Sequence, residues 1–220
     1  MKKFELTSET KINIFGKKLF RIKALISFGD VKAGETGGWV EKEENVNQSG
    51  NAWVYGNAKV YGDAKVYGDA KVFNNAWVSG NAKVYGNAKV FNNAWVSGNA
   101  WVYGNAKVYG DAKVHGDAKV YGDAWVYGDA WVYGDAWVYG DAKVSGNADY
   151  ATIHGFGTQF RTTTFFRCKD KKVRVACGCF FGTIPEFREQ VKDTRKGKIA
   201  EEYLVISDLM EKHFEVKSNE

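Results

Sequence analysis

Histidine is the side chain best suited to proton transfer near neutral pH, and the sequence contains three: His115, His154 and His213. Only His115 lies within a long repetitive stretch, at a place in the repeat that is otherwise filled by Tyr, Phe or Ser. A general base also needs a second group to orient it, and the sequence singles out none. We therefore interpret His115 as a surface side chain and predict no catalytic residue and no cofactor.

Three cysteines, Cys168, Cys177 and Cys179, could supply thiolates to a zinc ion together with a histidine. Cys177 and Cys179 are two residues apart, so on a regular strand they share one side, with Gly178 on the other. Small apolar side chains in a core are the simpler interpretation, and we predict no metal site. The odd number of cysteines argues against a disulfide framework and fits a reducing compartment.

Basic side chains are concentrated in residues 161–174, where Asp170 is the single acidic residue. They are Arg161, Arg167, Lys169, Lys171, Lys172 and Arg174. With Phe160, Phe165 and Phe166 nearby in the chain, they could hold the phosphates of a nucleic acid. A solvated hairpin with lysines at its turn is the alternative, and we keep both interpretations of this basic cap.

The elements that position these groups are set by a six-residue repeat in residues 50–151. Each unit reads Gly, Asn or Asp, Ala, Lys or Trp, Val and usually an aromatic residue. No helix has this period, whereas a parallel β-helix with three short strands per coil does. Residues 72–89 and 90–107 differ at one position only, which indicates an 18-residue coil. We predict a mainly β fold, a three-sided parallel β-helix.

Strand alternation assigns each side chain of the repeat to the inside or the outside of this β-helix. Ala and Val point inward, whereas the Lys or Trp and the aromatic residue point outward. Glycine with Asn or Asp turns each corner, because a corner often needs positive φ. Asn tolerates that geometry nearly as well, which explains why Asn74 and Asn92 replace the glycine of the repeat.

Outward side chains 18 residues apart should stack directly and form columns. One column comprises Tyr67, Tyr85, Tyr103, Tyr121 and Tyr139, with Trp101 and Trp137 beside it. Such a column could simply stabilise neighbouring coils through cross-strand pairs, or it could form a docking surface for a protein or carbohydrate. Because a monomer would leave several aromatic columns in water, we predict a homo-oligomer, a dimer or trimer joined along its sides.

The two ends of a β-helix expose unpaired strand edges, so we expect the flanking segments to cover them. Residues 1–49 should form an N-terminal β cap. It should contain a hairpin in residues 11–28 that turns at Gly16 and Lys17, followed by an irregular segment at residues 38–40.

Residues 152–220 should form a small C-terminal α/β cap of two strands and two helices. The strands are expected at residues 162–168 and 173–180, joined at Asp170 and Lys171. One helix should begin at Pro185 with Thr183 near its cap, and the other should run from about Ile199 to Phe214.

Two stretches of the chain resemble proteins of phage origin. Residues 20–55 contain Val31-Lys32-Ala33-Gly34, Gly37-Gly38-Trp39-Val40-Glu41 and Asn51-Ala52-Trp53-Val54-Tyr55. This stretch resembles the phage and prophage hexapeptide-repeat proteins often called YdcK-like. The tail, Cys177-Gly178-Cys179-Phe180-Phe181-Gly182-Thr183 followed by Glu186-Phe187, is similar to a C-terminal module of phage-encoded repeat proteins. The resemblance implies a left-handed parallel β-helix and implies little about activity.

Hexapeptide-repeat β-helices are best known in acyltransferases, where a histidine base and a coenzyme A groove lie between the subunits of a trimer. That analogy makes His115 the catalytic candidate, but fold does not imply function. No loop interrupts residues 50–151 to hold an acceptor. We therefore expect a protein that is not an enzyme and keep an acyltransferase as the alternative.

The resemblance and the lack of a recognisable catalytic grouping favour a binding protein. We expect a non-catalytic phage-encoded protein that covers a host protein or nucleoprotein, such as a counter-defence inhibitor of the anti-CRISPR type, with nucleic acid a candidate partner of the basic cap. A phage structural component is the alternative. No apolar run reaches the ~18 residues of a membrane span, and the start of the chain lacks the apolar region of a secretory signal. We expect no membrane partner and a location in the host cytoplasm.

Overall fold

The computed structural model describes residues 2–215, and its strands form four sheets. Three N-terminal strands come first: β1 (Phe4–Ile12), β2 (Lys18–Ala24) and β3 (Thr36–Val40). The repeat then forms one two-residue strand per hexapeptide. These strands are β4 (Trp53–Val54), β5 (Lys59–Val60), β6 (Lys65–Val66), β7 (Lys71–Val72), β8 (Trp77–Val78), β9 (Lys83–Val84), β10 (Lys89–Val90), β11 (Trp95–Val96), β12 (Trp101–Val102), β13 (Lys107–Val108), β14 (Lys113–Val114), β15 (Lys119–Val120), β16 (Trp125–Val126), β17 (Trp131–Val132), β18 (Trp137–Val138) and β19 (Lys143–Val144).

Four further strands and two α-helices follow the repeat. They are β20 (Tyr150–Phe156), β21 (Arg161–Arg167), β22 (Val173–Cys177), β23 (Phe180–Thr183), α1 (Ile184–Thr194) and α2 (Gly197–Glu215). Single turns of 3-10 helix at Glu43–Asn45 and Asn147–Asp149 connect the repeat to its flanks.

The short strands pair in parallel with strands 18 residues away, as the repeat predicts. Lys89 of β10 is in register with Lys107 of β13, and Val90 is in register with Val108. Repetition of this pairing gives three stacks of strands, each of which is one side of the molecule. The predicted three-sided parallel β-helix is confirmed, while its left-handed sense stays a prediction.

We name the three sides by the outward residues that distinguish them. The tyrosine face consists of β6, β9, β12, β15 and β18. The phenylalanine face, which carries Phe73 and Phe91, consists of β4, β7, β10, β13, β16 and β19. The serine face, which carries Ser79 and Ser97, consists of β5, β8, β11, β14 and β17, and its sheet continues through β3, β2 and β1.

The interior of the β-helix is made of alanine and valine. Every repeat alanine from Ala52 to Ala142 and every repeat valine from Val54 to Val144 has an exposure of 0%. The predicted inward pattern fails at Ala148, which is exposed because the turn Asn147–Asp149 leaves the coil. Burying one valine stabilises a fold by roughly 1.5–3 kcal/mol. Because the inward valines of a coil are buried by the coils on either side, each coil is stabilised mainly by its neighbours.

The corners need the backbone conformation that the sequence indicates. Asn74 and Asn92, which replace glycine, have φ of 60° and 62°, as predicted. At Gly98 a second requirement appears, because a Cβ atom there would lie 2.9 Å from the amide nitrogen of Gly116 in the next coil. Glycine therefore suits the corners for two reasons: it adopts positive φ readily, and its lack of a side chain lets successive coils approach closely.

The predicted N-terminal hairpin is confirmed, with two differences. β1 and β2 pair antiparallel across a turn in which Gly16 has φ of 75°, but β1 begins at Phe4, well before residue 11. The prediction of an irregular segment at residues 38–40 is wrong, since these residues belong to β3, which pairs in parallel with β5. A Cβ atom on Gly38 would lie 2.5 Å from Val54, so this glycine marks close packing and not a loop.

The C-terminal cap has four strands where two were predicted. The expected strand at residues 173–180 is a hairpin of β22 and β23, because Gly178 has φ of 60° and the chain reverses there. The additional strand β20 follows the repeat directly and pairs with β21. Thr183 caps α1 as predicted, since its side chain accepts a hydrogen bond from the amide of Glu186.

The helices and the sheet β20–β23 enclose a core separate from that of the β-helix. Phe165 and Phe187 are buried in this second core, whereas Phe166, the next residue of β21, is buried against the β-helix. β21 therefore attaches the cap to the last coil. Within residues 2–215, neither α-helix combines the length and the apolar composition needed to cross a membrane.

Candidate interaction surfaces

Five tyrosines of the tyrosine face form one continuous stack. They are Tyr67, Tyr85, Tyr103, Tyr121 and Tyr139. Neighbouring ring centroids are 4.6 to 4.8 Å apart, and the ring planes differ by 1° to 5°. The stack ends at the C-terminal cap, where the rings of Tyr139 and Phe181 have centroids 4.5 Å apart. The residues that the 18-residue spacing places in one column are thus in direct contact.

Stacking determines which part of each tyrosine a partner can reach. The two sides of a ring inside the stack are covered by its neighbours, and Tyr85 and Tyr103 are half-buried. Burial, together with the neighbouring tyrosines, raises the pKa of Tyr85 to about 12. Its hydroxyl is protonated and able to donate at neutral pH, as that of any tyrosine is, and the raised pKa extends this to more alkaline solution. The accessible surface is a row of ring edges and hydroxyl groups, which does not suit stacking of a sugar ring.

Trp101 and Trp137 border the tyrosine stack, and a lysine lies over one side of each indole ring. Lys83 Nζ lies 4.6 Å from the ring centroid of Trp101, and Lys119 Nζ lies 4.5 Å from that of Trp137. Contacts of this kind contribute roughly 0.5–1 kcal/mol at exposed sites. The lysines leave less of each indole ring accessible to a ligand. The tyrosines therefore form the centre of the candidate binding surface on the tyrosine face.

A second aromatic stack, which we did not predict from the sequence, lies on the phenylalanine face. Its members are Phe73, Phe91, Tyr109 and Tyr127, with ring centroids 4.7 to 5.1 Å apart. The flanking segments contact this face near both ends: Asp30 forms an ion pair with Lys71, and Lys169 Nζ lies 5.1 Å from the ring centroid of Trp125. The same 18-residue spacing that reveals the tyrosine column would also have revealed this stack.

The serine face differs because the N-terminal hairpin folds over it. Phe15, at the turn between β1 and β2, packs against Tyr61, Trp77 and Trp95, with ring centroids 5.9 to 6.2 Å apart. Directly after strands β8 and β11, the aromatic position of the repeat is serine, which leaves room for this ring. The sequence shows the serines, but their purpose depends on a contact between distant segments.

An open groove of about 520 Å³ lies further along the serine face. We call it the His115 groove; it is lined by His115, Trp131, Tyr133, Asn147 and Tyr150, among others. The His115 ring stacks on Tyr133, with centroids 5.7 Å apart. Among the described residues, no hydrogen bond orients the His115 imidazole as a general base would require.

The six basic residues of the basic cap do not form one cluster. Arg161 begins β21 and Arg167 ends it, so about 20 Å of extended chain separates them. Arg167 lies 3.6 Å from the carboxylate of Asp149, and Arg174 lies 2.7 Å from that of Asp170. Both arginines therefore already have an acidic partner within the chain, Arg167 at the end of the repeat and Arg174 in the C-terminal cap.

The three lysines of the basic cap lie at the turn between β21 and β22. Lys171 and Lys172 are exposed there, and Lys171 has φ of 65°. Lys169 Nζ donates to the carbonyl oxygen of Asp123, 3.2 Å away. The turn and the exposed Arg161 at the start of β21 are the parts of the basic cap that still offer charge to an external phosphate.

The cysteines have three different environments. Cys168 is buried, and its burial raises the pKa of the thiol. Cys177 is half-buried and accepts a hydrogen bond from the hydroxyl of Thr163 at 3.1 Å, whereas Cys179 is exposed. The prediction that Cys177 and Cys179 share a core is wrong for Cys179, because the chain turns at Gly178. No group of three or more His, Cys, Asp or Glu side chains that could hold a metal ion occurs within residues 2–215.

The corners carry a charge pattern that we also did not predict from the sequence. The corner position is Asn in six successive repeats from Asn75 to Asn105 and Asp in the next six, from Asp111 to Asp141. Asn side chains donate along the stack, as Asn99 does to Asp117 at 2.9 Å. The last coils of the β-helix are consequently the acidic end of a molecule whose repeat is neutral overall.

These surfaces belong to a three-sided β-solenoid closed by a small α/β cap. No protein-family model matches the chain, and no curated protein matches it in sequence. A function must therefore be argued from the exposed side chains, since one fold hosts many unrelated functions.

Proposed function

We propose that the protein is a non-catalytic binding protein that holds a host protein against its tyrosine face. The observation that carries this proposal is the unbroken stack of five tyrosines. Tyrosine is enriched among the residues that dominate binding energy, because it joins apolar area to a hydrogen-bonding group. A row of such groups on one rigid side of the molecule is a suitable docking surface.

The stack is also preorganised for binding. The ring contacts of Tyr85 and Tyr103 are with residues of the tyrosine face itself, including the edge of Trp101 against Tyr85 at 6.3 Å. Side chains held in place before binding lose little conformational entropy when a partner docks. This property favours a tight complex over a transient one.

A protein suits the tyrosine face better than a carbohydrate or a nucleic acid does. Sugars and bases bind aromatic residues by stacking on the ring, and here the neighbouring tyrosines and the lysines over Trp101 and Trp137 cover the rings. Hydroxyl groups and ring edges instead match the mixed polar and apolar surface of a protein. The resemblance to phage repeat proteins favours a host defence complex as the target, with a CRISPR nucleoprotein as one example.

Capture from host lysate on the immobilised protein tests this function. The test variant is Tyr85→Ser with Tyr103→Ser, which copies the residues present at the equivalent positions of the serine face, Ser79 and Ser97. The matched control is Phe73→Ser with Phe91→Ser on the phenylalanine face. We expect a captured protein to be lost with the tyrosine pair and retained with the phenylalanine pair.

A third variant separates the tyrosine face from the basic cap. Lys169, Lys171 and Lys172 are changed to Ala together, which removes the charge at the turn between β21 and β22. If the basic cap binds a nucleic acid, this change should weaken binding and flatten its dependence on salt. Loss of the partner with the lysine variant and its retention with the tyrosine variant would contradict the proposed function.

A further inference from the structure

We propose that two copies of this chain form an antiparallel dimer through their serine faces, in which the N-terminal hairpin tip of each copy occupies the His115 groove of the other. We define the hairpin tip as residues 12–17. This inference is independent of the proposed function, because the dimer leaves both tyrosine faces free.

The hairpin tip is an apolar projection on the serine face. Ile12, Ile14 and Phe15 are 72%, 77% and 56% exposed. The turn is held in shape by Asn13, whose Oδ1 accepts hydrogen bonds from the amides of Phe15 at 2.9 Å and Lys17 at 3.0 Å. Phe15 rests on the tryptophans of β8 and β11, so the projection is supported from below. A rigid hairpin turn with exposed isoleucine side chains is suited to packing into an apolar groove.

The His115 groove offers a matching recess on the same face. Trp131 and Tyr133, in its floor, are 44% and 52% exposed. Tyr150 stands at one side, where its hydroxyl donates to the carbonyl oxygen of Trp131. The recess is therefore aromatic, open and braced by the first residue of β20.

The relative positions of tip and groove select a two-fold arrangement. Trp131 lies two coils beyond Trp95, which contacts the tip, a distance of about 10 Å at the strand spacing of a sheet. A two-fold axis that lies in the plane between the two serine faces, perpendicular to the long axis of the β-helix and midway between the two features, places each tip over the groove of the other copy. Such an interface is self-complementary and closes as a dimer. A parallel arrangement would instead place tip beside tip.

Charge favours the same arrangement. Lys17, the last residue of the tip, and Lys18, which follows it, are both exposed, although Lys17 also contacts Glu41 at 3.3 Å.

The groove end of the serine face is acidic. Its rims carry Asp111 and Asp129 on one side and Asp117 and Asp135 on the other. None of these four carboxylates forms an ion pair with another residue in the described part of the chain. In an antiparallel dimer, the basic end of each copy lies over the acidic end of the other. In a parallel dimer, ends of like charge would face each other.

Charge exchange tests the dimer. One variant is Lys17→Glu with Lys18→Glu, and the other is Asp129→Lys with Asp135→Lys; all four side chains are exposed, so the fold should tolerate both. Light scattering of the wild type should give twice the monomer mass of 24.6 kDa at micromolar concentration. Each variant alone should give the monomer mass. The equimolar mixture should recover the dimer, because each tip then faces a groove of opposite charge.

Other outcomes overturn the proposal or identify another assembly. A wild-type monomer or trimer contradicts the dimer directly. A dimer that persists in both charge variants, or a mixture that stays monomeric, places the interface elsewhere. Tyr85→Ser with Tyr103→Ser should leave the mass unchanged, and the charge variants should still capture the host protein, so failure of the dimer and failure of the proposed function are distinguishable.

Discussion

The tyrosine face and the serine face are built from the same hexapeptide and share one interior, yet their outer surfaces have different partners. On the tyrosine face, five stacked rings contact one another. On the serine face, two serines interrupt the column, and Phe15 from a distant hairpin occupies the space. The inward residues therefore determine the fold, whereas changes among the outward residues determine what each side contacts.

The largest effect should come from breaking the shared interior. Val102→Asp places a charge in a fully buried position between coils and should lower the free energy of unfolding by more than about 4 kcal/mol. Thermal unfolding followed by circular dichroism should show no cooperative transition. Tyr103→Ser, at the next residue but pointing outward, is the control and should keep the transition. Equal melting temperatures for Val102→Asp and the wild type would refute the inward assignment.

A smaller effect should come from the corners of the serine face. Gly98 and Gly134 both have positive φ, but only Gly98 would place a Cβ against the next coil, 2.9 Å from Gly116. Gly134→Ala should cost about 1–2 kcal/mol from backbone strain alone. Gly98→Ala should cost at least about 1 kcal/mol more from overpacking. Chemical denaturation of the two variants measures the difference, and equal costs would show that the coils relax apart.

The period, the interior and the corners could be predicted because they depend on local rules. Strand alternation fixes which side chain points inward, so Val102 could be assigned from the repeat. Positive φ explains Asn74 and Asn92 without knowledge of any distant contact. The cap of α1 at Thr183 is likewise decided within one turn of helix.

The packing of the hairpin on the serine face could not be predicted, because it depends on a distant contact. In the C-terminal cap the two helices were expected, but β20 and the break between β22 and β23 were not. The sequence does not reveal that Phe15 reaches Trp95, three coils beyond β3. The sequence predicts one strand at residues 173–180, which places Cys179 in a core. The chain instead reverses at Gly178, and Cys179 is exposed. Proximity in sequence also grouped Arg161 with Arg167, although a full strand separates them.

A still smaller effect should come from the contact that distinguishes the serine face. Phe15→Ala removes a half-exposed ring and should lower the free energy of unfolding by about 1 kcal/mol. Because Trp77 and Trp95 lose their cover, tryptophan emission should also shift to longer wavelength. Phe15→Leu, which keeps an apolar side chain, is the control and should show a smaller shift. An unchanged emission spectrum would mean that the hairpin does not rest on this face.

The most direct test of the central claim measures binding and stability together on the tyrosine face. With the captured host protein purified, titration calorimetry compares the wild type with Tyr85→Ser plus Tyr103→Ser, and calorimetric unfolding of the same samples reports stability. We expect the dissociation constant to rise by about 1,000-fold, as for the loss of two hot-spot residues at about 2 kcal/mol each, at an unchanged salt dependence and with a cooperative transition retained. A dissociation constant equal to that of the wild type would contradict the account and leave the tyrosine stack a purely structural device.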